Sequence, residues 1–354
     1  MSRPAKSFPK PGKPSTRSEN PVVVDDAESL WKKELANATT SVASLLKQLD
    51  LNQHIDAVDI QPGFKCLVTK SYIAKIQAGN INDPLLQQVL PLTKETHLKT
   101  QQNGLNDPVG DINAQASQGL LHKYHGRILL ISTAACAIHC RYCFRRHYPY
   151  QQLSYSNKAL NPVLDYLTEH REIEEVILSG GDPLVLDNEK LSSLIEKLET
   201  IKHLHTLRIH TRLPVVLPNR INTGLLQLLQ SSRFQIVMVI HANHANELQH
   251  AEYTKLHLLQ QAGITLLNQS VLLKGINDNS ETLVNLSKRL FQCKTLPYYL
   301  HLLDPVKGAM HFEVAKTKAL RLKQEVEKQL PGYLVPRLVQ EIAGNKSKTA
   351  IFRI

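Results

Sequence analysis

From about residue 127 onward, short apolar runs alternate with segments that have helical spacing. The runs are RILLIST (127–133), EVILSG (175–180), TLRIHT (206–211), QIVMVIHA (235–242), TLLNQSVLL (265–273) and PYYLHLLD (297–304). Leu191, Leu194, Ile195 and Leu198 form one amphipathic stripe, and Leu283, Leu286 and Leu290 form another. Strands that alternate with helices predict a parallel α/β sheet. Periodicity alone leaves open whether this sheet is doubly wound or a partial barrel.

Polar residues follow each predicted strand and favour the barrel. The cysteines of the 136–143 segment follow the first strand, Gly180, Gly181 and Asp182 the second and Arg212 the third. His241 lies at the end of the fourth strand, Gln269 lies within the fifth and Asp304 ends the sixth. Barrel enzymes collect their chemistry at the carboxyl ends of the strands. We therefore expect a partial (β/α)6 TIM-like barrel with these groups at one mouth.

The flanking regions have a different pattern. Asp25 and Asp26 can cap a helix AESLWKKEL, Ser41 precedes VASLLKQL, and Ser71 precedes YIAKIQ. Residues 93–118 are polar and show no clear periodicity. We expect a disordered basic tail (1–24), a helical extension (25–120), the barrel (121–312), and a C-terminal segment (313–354) with a helix at about 313–329 and a possible strand at 335–339.

Composition limits the function classes. The net charge of +11 includes +4 from residues 1–20, and the remaining +7 is spread along the chain of 354 residues. A nucleic-acid face would show a basic block interleaved with aromatic residues, and the sequence has none. The sequence also lacks a run of 18 apolar residues and an apolar signal core, so we expect neither a membrane span nor secretion.

Three of the five cysteines, Cys136, Cys140 and Cys143, lie in one short segment. Three thiolates at this spacing can hold three irons of a [4Fe–4S] cluster and leave the fourth iron open for chemistry. Unrelated buried thiols or a zinc site are the alternatives, but zinc usually takes four ligands. The spacing resembles the signature of the radical S-adenosylmethionine (SAM) enzymes. A reducing cytoplasm suits such a cluster.

In such a site, the methionine amino and carboxylate groups of SAM bind the open iron, and SAM cleavage gives a radical that needs a dry pocket. The sequence Gly180–Gly181–Asp182 follows a strand and can support the methionine amino group, because glycine permits close backbone approach. By itself, this motif is also typical of an ordinary turn.

Several further motifs resemble the lysine 2,3-aminomutase family from about residue 60 to the end. They are CAIHCRYCFRRH, SGGDPL, RLPVVLP, NQSVLLKGIND, PYYLHLLD and GNKSKT. HKYHGR, HANHANE, LHLLD and PGYLVPRL resemble the branch that makes (R)-β-lysine for elongation factor P. This resemblance implies a functional link to that factor and its lysyl ligase, and an external one-electron reductant.

The resemblance implies a second cofactor, pyridoxal 5′-phosphate (PLP), on a lysine. The family pattern places this lysine at Lys348, with Lys346 as the competing choice. Lys123 and Arg127 match the positions that bind the PLP phosphate. The first of these positions is typically arginine in the enzymes that make free β-lysine.

The resemblance also assigns the substrate. Arg145 would bind the α-carboxylate of lysine, with a surface salt bridge as the alternative role. Asp304 and Glu341 would bind the distant ammonium, although the free-lysine enzymes have aspartate at the second position. The resemblance also implies that Gln269, His241 and Arg212 lie on the SAM side of the site.

The implied reaction moves the amino group of lysine from the α to the β carbon and regenerates SAM. We expect no zinc and a different or weaker homo-oligomer, because the chain lacks the C-terminal cysteines of the free-lysine enzymes. The alternatives are a catabolic lysine 2,3-aminomutase, a radical SAM enzyme acting on tRNA, and a plain iron–sulfur electron carrier.

Overall fold

The computed structural model describes residues 25–153 and 160–352, so the predicted basic tail (1–24) lies outside the described residues. The helices are α1 (Asp25–Ala36), α2 (Val42–Gln48), α3 (Lys70–Ile73), α4 (Leu98–Gln102), α5 (Asn161–Glu169), α6 (Asn188–Glu199), α7 (Leu213–Val216), α8 (Thr223–Ser231), α9 (His250–Gln261), α10 (Ser280–Gln292) and α11 (Lys316–Glu327). The strands are β1 (Gln115–Ser117), β2 (Leu120–Tyr124), β3 (Arg127–Thr133), β4 (Glu175–Gly180), β5 (Thr206–Thr211), β6 (Gln235–His241), β7 (Thr265–Val271), β8 (Leu296–His301), β9 (Arg337–Gln340) and β10 (Thr349–Ala350).

The ten strands form one sheet in sequence order, β1 to β10. Strands β3 to β9 are parallel neighbours, and each crossover between them contains at least one helix. The β1–β2, β2–β3 and β9–β10 pairs are antiparallel. The six crossovers confirm the predicted partial (β/α)6 barrel, and β9 confirms the additional strand expected near 335–339.

The two faces of the parallel strands are chemically different. On β4, Val176 and Leu178 belong to the main apolar core, whereas Glu175 and Ser179 bond to polar partners on other elements. Alternation with period two puts these two sets on opposite faces. The helices cover the apolar face, and the other face carries the polar side chains that form the candidate site.

The helical segments match the predicted stripes. Leu191, Ile195 and Leu198 of α6 are buried, as are Leu283, Leu286 and Leu290 of α10. Ser41 caps α2 by accepting a hydrogen bond from the Ser44 amide. A third helix occurs near YIAKIQ but is shorter, at Lys70–Ile73. Its predicted cap was wrong, because Thr69 caps α3 while the amide of Ser71 donates to Glu34.

The residues before the barrel pack directly on it. Trp31, Leu45, Leu90 and other apolar residues of this region belong to the same buried cluster as strands β3 to β7. The polar stretch 93–118 contains α4 and β1. Among the described residues, we find no helix long and apolar enough to cross a membrane.

The carboxyl ends of neighbouring strands lie together. His241 pairs in register with Gln269, and Gln269 pairs with Tyr299. Asp304 does not end a strand as predicted, since β8 stops at His301 and Asp304 lies three residues further on. The mouth of the barrel therefore includes both strand ends and the loops that follow them.

Candidate active site

The three cysteines lie in the loop that follows β3. This loop is held against the end of β4, where the Gly181 amide donates to Thr133 O (2.7 Å) and the Asp182 amide donates to Ala135 O (2.8 Å). A Cβ on Gly180 would lie 2.6 Å from Thr133 O, and one on Gly181 would overlap Ala135 O. The two glycines are therefore required where β4 approaches the start of the cysteine loop.

The outer side of the cysteine loop is fixed by residues of the N-terminal part. Glu95 is buried (4% exposed) and bonds to both Nε (2.8 Å) and Nη2 (2.6 Å) of Arg141. The same carboxylate accepts from Arg146 (2.9 Å). Arg141 also donates to the carbonyl of Phe64 (2.7 Å), whose ring lies under both guanidinium groups. This arrangement fixes the backbone between Cys140 and Cys143.

Arg212 contacts the cysteine loop at Cys140. Its side chain is 6% exposed and donates to the sulfur of Cys140, to Gln88 (2.8 Å) and to Glu247 (2.8 Å). Burial of Glu247 opposes its charge, but Arg212, the Asn243 amide and His241 together lower the pKa of the carboxyl below its usual value. A guanidinium beside a cysteine sulfur can offset the negative charge of a thiolate-bound cluster.

The Gly180–Gly181–Asp182 motif mainly joins three chain segments. The Asp182 carboxylate accepts from Thr211 Oγ1 (2.6 Å) and from the Arg212 amide (2.6 Å), and burial raises its pKa to about 6. The Gly180 carbonyl accepts from Tyr150 (2.8 Å). The Asp182 side chain therefore fixes the end of β5 rather than pointing to an open space.

Arg145 lies on the inner side of the cysteine loop and is 8% exposed. Its Nε donates to Asp111 (2.7 Å), and its Nη1 donates to Ser179 (3.0 Å). The second Asp111 oxygen pairs with Lys123 (2.6 Å). Burial opposes charge on Asp111, but Arg145 and Lys123 outweigh it, so the pKa of this carboxyl is below its usual value. The structure thus brings Arg145 and Lys123, two of the three predicted anion-binding residues, together on one acid.

Lys348 points into the barrel beside Glu341. Its Nζ donates to Glu341 Oε2 (2.6 Å) and lies 6.0 Å from the centre of the Tyr299 ring. Tyr124 donates to the other Glu341 oxygen, and Lys123 lies 3.8 Å from it. Lys346 is exposed to solvent. Position and contacts therefore favour Lys348 over Lys346 as the reactive lysine.

Several polar atoms in the barrel are buried and have no hydrogen-bond partner among the described residues. They are His210 Nε2, His301 Nε2 and Asp304 Oδ1. Burial raises the pKa of Asp304 to about 7 and lowers the pKa of both histidines. Buried polar groups normally have partners, so these atoms indicate a polar ligand.

The remaining predicted residues lie at the same mouth. His241 accepts or donates a hydrogen bond with Tyr142 (2.9 Å), and burial lowers its pKa to about 3, so the ring is neutral near pH 7. Gln269 is its neighbour on β7. Arg127 stacks on Tyr124 at 4.9 Å and makes no ion pair within the described part of the chain, which leaves its charge available for an anion.

These residues fit the implied cofactors. Within residues 25–153 and 160–352, no group of three His, Cys, Asp or Glu side chains is placed to hold a single metal ion. A cubane cluster has a different requirement, since each cysteine binds a separate iron, and three free thiols are such a donor set. Lys348 and the free charge of Arg127 match the needs of an aldehyde and a phosphate.

Sequence reasoning missed the residues that support the site. These are Gln88, Glu95, Asp111, Tyr124, Tyr142, His210, Glu247 and His301. Glu95 and Asp111 belong to the polar stretch without periodicity, where no local pattern distinguishes a buried acid from a solvated one. His210 and His301 had a usable signal, because each lies within a predicted strand, and Tyr124, Tyr142 and Glu247 lie within motifs that carry the family resemblance.

Comparison with known proteins places this geometry in a family. The Radical SAM superfamily profile matches residues 130–286. The L-lysine 2,3-aminomutase of Haemophilus influenzae is 44% identical over 334 residues, which cover 94% of this chain and 97% of that protein. The protein of the same name from Escherichia coli is 41% identical and covers 91% of this chain and 94% of its own length. The one from Clostridium subterminale is 31% identical, covering 93% and 79%. The chain therefore belongs to the lysine 2,3-aminomutase family of radical SAM enzymes.

Proposed function

We propose that this protein is the aminomutase that converts (S)-α-lysine into (R)-β-lysine for attachment to elongation factor P. The observation that supports it best is the chain of contacts from Lys348 to Arg145. Lys348 pairs with Glu341, Lys123 lies between Glu341 and Asp111, and Asp111 pairs with Arg145. The three cysteines would hold the [4Fe–4S] cluster, and a reducing cytoplasm would keep them as thiols.

The cofactors of the family supply the difficult chemistry: the cluster and SAM provide a radical, and PLP carries the migrating nitrogen. Lys348 would hold the aldehyde carbon of PLP, and Arg127 with Lys123 would bind its phosphate. Arg127 is suited to this role because it makes no ion pair among the described residues. Gln269, His241 and the end of β4 would line the SAM side.

The two ends of lysine carry opposite charges, and the site offers a partner for each. Arg145 would bind the α-carboxylate through its terminal nitrogens. Asp304 and Glu341 would bind the distant ammonium, since Asp304 has an unsatisfied buried oxygen and both carboxylates lie near Lys348. Binding at both ends fixes which carbon faces the radical source.

The role of Lys348 can be tested by spectroscopy and by activity. Lys348→Ala should lose the visible absorbance of bound PLP and all turnover, because it removes the amine that would bind the aldehyde of PLP. Lys346→Ala is the matched control, since Lys346 is two residues away and exposed. If Lys346→Ala lost the absorbance and Lys348→Ala retained it, the assignment would be wrong.

Product stereochemistry separates the two aminomutase branches. The protein, reconstituted with iron, sulfide, SAM and PLP and reduced chemically, should produce (R)-β-lysine, which the ligase then attaches to elongation factor P. Chiral chromatography of the product decides the matter. Formation of (S)-β-lysine would instead support a catabolic enzyme, and unchanged lysine would exclude both branches.

A tRNA-modifying enzyme remains the candidate from a different class, suggested only by the charge of +11. That class has no need of PLP. Visible absorbance that depends on Lys348 would therefore exclude it. No described contact favours this alternative over the aminomutase.

A further inference from the structure

Asp111 contacts two cations of the site and lies in none of the motifs that carry the family resemblance. It is 2% exposed, and its two oxygens are divided between Arg145 Nε (2.7 Å) and Lys123 Nζ (2.6 Å). The loop that carries it is fixed by Asp107, whose carboxylate accepts from the amides of Asp111 (2.9 Å) and Ile112 (2.9 Å). Both the side chain and the backbone of Asp111 are therefore restrained.

The contact on Arg145 is on only one side of the guanidinium. Asp111 accepts from Nε, and Ser179 accepts one hydrogen of Nη1. Nη2 has no hydrogen-bond partner among the described residues and is not a buried unsatisfied atom. The edge formed by Nη1 and Nη2 therefore stays available for a bidentate carboxylate.

We propose that Asp111 is a positioning residue that aims the free edge of Arg145 at the substrate carboxylate. Lys123 is its second partner and keeps the buried carboxylate charged and in place. A long arginine side chain has many rotamers, and fixing it before the ligand arrives reduces the entropy lost on binding. This inference rests on the proposed function, in which Arg145 binds the carboxylate of lysine.

The position of Asp111 argues against a competing role as an occupant of the carboxylate site. An internal competitor would occupy the bidentate Nη1–Nη2 edge, and removing it would strengthen substrate binding. Asp111 instead accepts from Nε and leaves the Nη1–Nη2 edge, which a ligand would use, unoccupied by its carboxylate. The two roles thus predict opposite changes in affinity.

The experiment compares L-lysine with 1,5-diaminopentane, which lacks the carboxylate, on PLP-saturated protein. Binding is read from the visible absorbance of bound PLP without adding a reductant, so turnover is not required. In Asp111→Asn, the dissociation constant for lysine should rise by about tenfold or more. The dissociation constant for the diamine should stay within about twofold of the wild-type value. Iron content and the circular dichroism spectrum should be unchanged.

Glu175→Gln is the matched control, because Glu175 also pairs with an arginine, Arg208 (2.6 Å), on the inner face but at the opposite end of the strands. It should leave the preference for lysine unaltered. In the double variant Asp111→Asn/Arg145→Gln, lysine binding should match that of Arg145→Gln within about twofold, because Asp111 acts through Arg145.

Asp111→Glu is the second variant, to be used if Asp111→Asn does not fold. It keeps the negative charge that pairs with Arg145 and Lys123, but its longer side chain displaces Arg145. It should reduce the preference for lysine over the diamine by about threefold or more. The inference is overturned if folded Asp111 variants keep the wild-type preference, bind lysine more tightly, or weaken both ligands equally. If the wild type itself shows no preference for lysine, the proposed function fails instead.

Discussion

Glu95 and Asp111 are two buried acids that hold the same loop from opposite sides. Glu95 joins Arg141 and Arg146 on the outer side, and Asp111 joins Arg145 to Lys123 on the inner side. Their chemistry is nearly the same, since each is a carboxylate shared by two cations. The surroundings differ: Glu95 is near the backbone of the N-terminal part, and Asp111 is near the polar interior.

This difference indicates a division of labour within the arginine-rich segment after the cysteines. Arg141 also donates to backbone carbonyls at Phe64 and Lys65, so the outer acid is part of a closed structural network. The Nη1–Nη2 edge of Arg145 stays available for a ligand, so Asp111 is part of an open network. We therefore expect the outer network to govern cluster retention and the inner one to govern substrate binding.

The largest expected effect is on the outer side. Glu95→Ala leaves two buried guanidinium groups unpaired, and breaking a buried pair in this way costs about 3–5 kcal/mol of folding free energy. Iron content per chain should fall sharply, and the urea midpoint should decrease. Exposed Glu313, which makes no ion pair within the described ranges, provides the control Glu313→Ala. Full iron content in Glu95→Ala would contradict the division.

The inner side should respond differently. Arg145→Gln removes the proposed partner of the substrate carboxylate, and losing one member of a buried charge pair costs about 2–3 kcal/mol of binding free energy. The affinity for lysine should therefore fall on the order of 30- to 150-fold. Absorbance titration with lysine measures this, and iron content should stay at the wild-type level. Equal loss of iron in Arg145→Gln and Glu95→Ala would remove the distinction.

The fold was predictable from the sequence because each parallel strand is a short apolar run with polar residues after it. β3, β4 and β5 begin and end where the apolar runs do. The hairpin of β1 and β2 was not predictable, since its residues neither alternate cleanly nor carry a strong turn signal. Thr69 rather than Ser71 caps α3, because either hydroxyl was acceptable locally and tertiary contact gives Ser71 another role.

The site was predictable only in part. Spacing alone predicted the three cysteines as cluster ligands. Lys348 was proposed only from the family resemblance, because local pattern alone would place it on a solvated loop. Glu95 and Asp111 were not predictable, because a buried acid is distinguished by its cationic partners and these are distant in sequence. Arg141 is 46 residues from Glu95, and Lys123 is 12 residues from Asp111. Such pairing depends on the fold itself.

A smaller effect concerns the far end of the interior and depends on pH. Burial raises the pKa of Asp304 to about 7; Lys348 and Lys123 lower it, while Glu341 and Asp111 raise it. An ammonium pairs only with the ionised carboxylate. Lysine affinity should therefore increase with pH up to about 7, by at most about tenfold per unit, and then level off.

Norleucine provides the control for this pH dependence, because it shares the α-amino and carboxylate groups of lysine but has no distant ammonium. Its affinity should not show the change through pH 7 that is caused by Asp304. The comparison uses absorbance titrations of PLP-saturated protein at several pH values. Identical profiles for the two ligands would show that Asp304 does not bind the ammonium.

The smallest effect tests whether the outer network includes the aromatic ring under its arginines. The Phe64 ring lies 4.9 Å from the Arg141 guanidinium and 4.7 Å from that of Arg146, and it stacks on His139. Phe64→Leu keeps apolar bulk but removes the cation–π contacts, at a cost of about 1 kcal/mol. Iron should be lost to a chelator several times faster.

Phe234→Leu is the matched control for this change, because Phe234 also lies under an arginine, Arg233 (4.6 Å), at the start of β6 and away from the cysteines. It should lower the melting temperature to a similar extent without accelerating iron loss. Parallel iron loss in both variants would mean that chelation follows global stability. Faster loss in Phe64→Leu alone would assign the Phe64 ring to the outer network. The ring would then act with Glu95 in holding the cysteine loop against the N-terminal part.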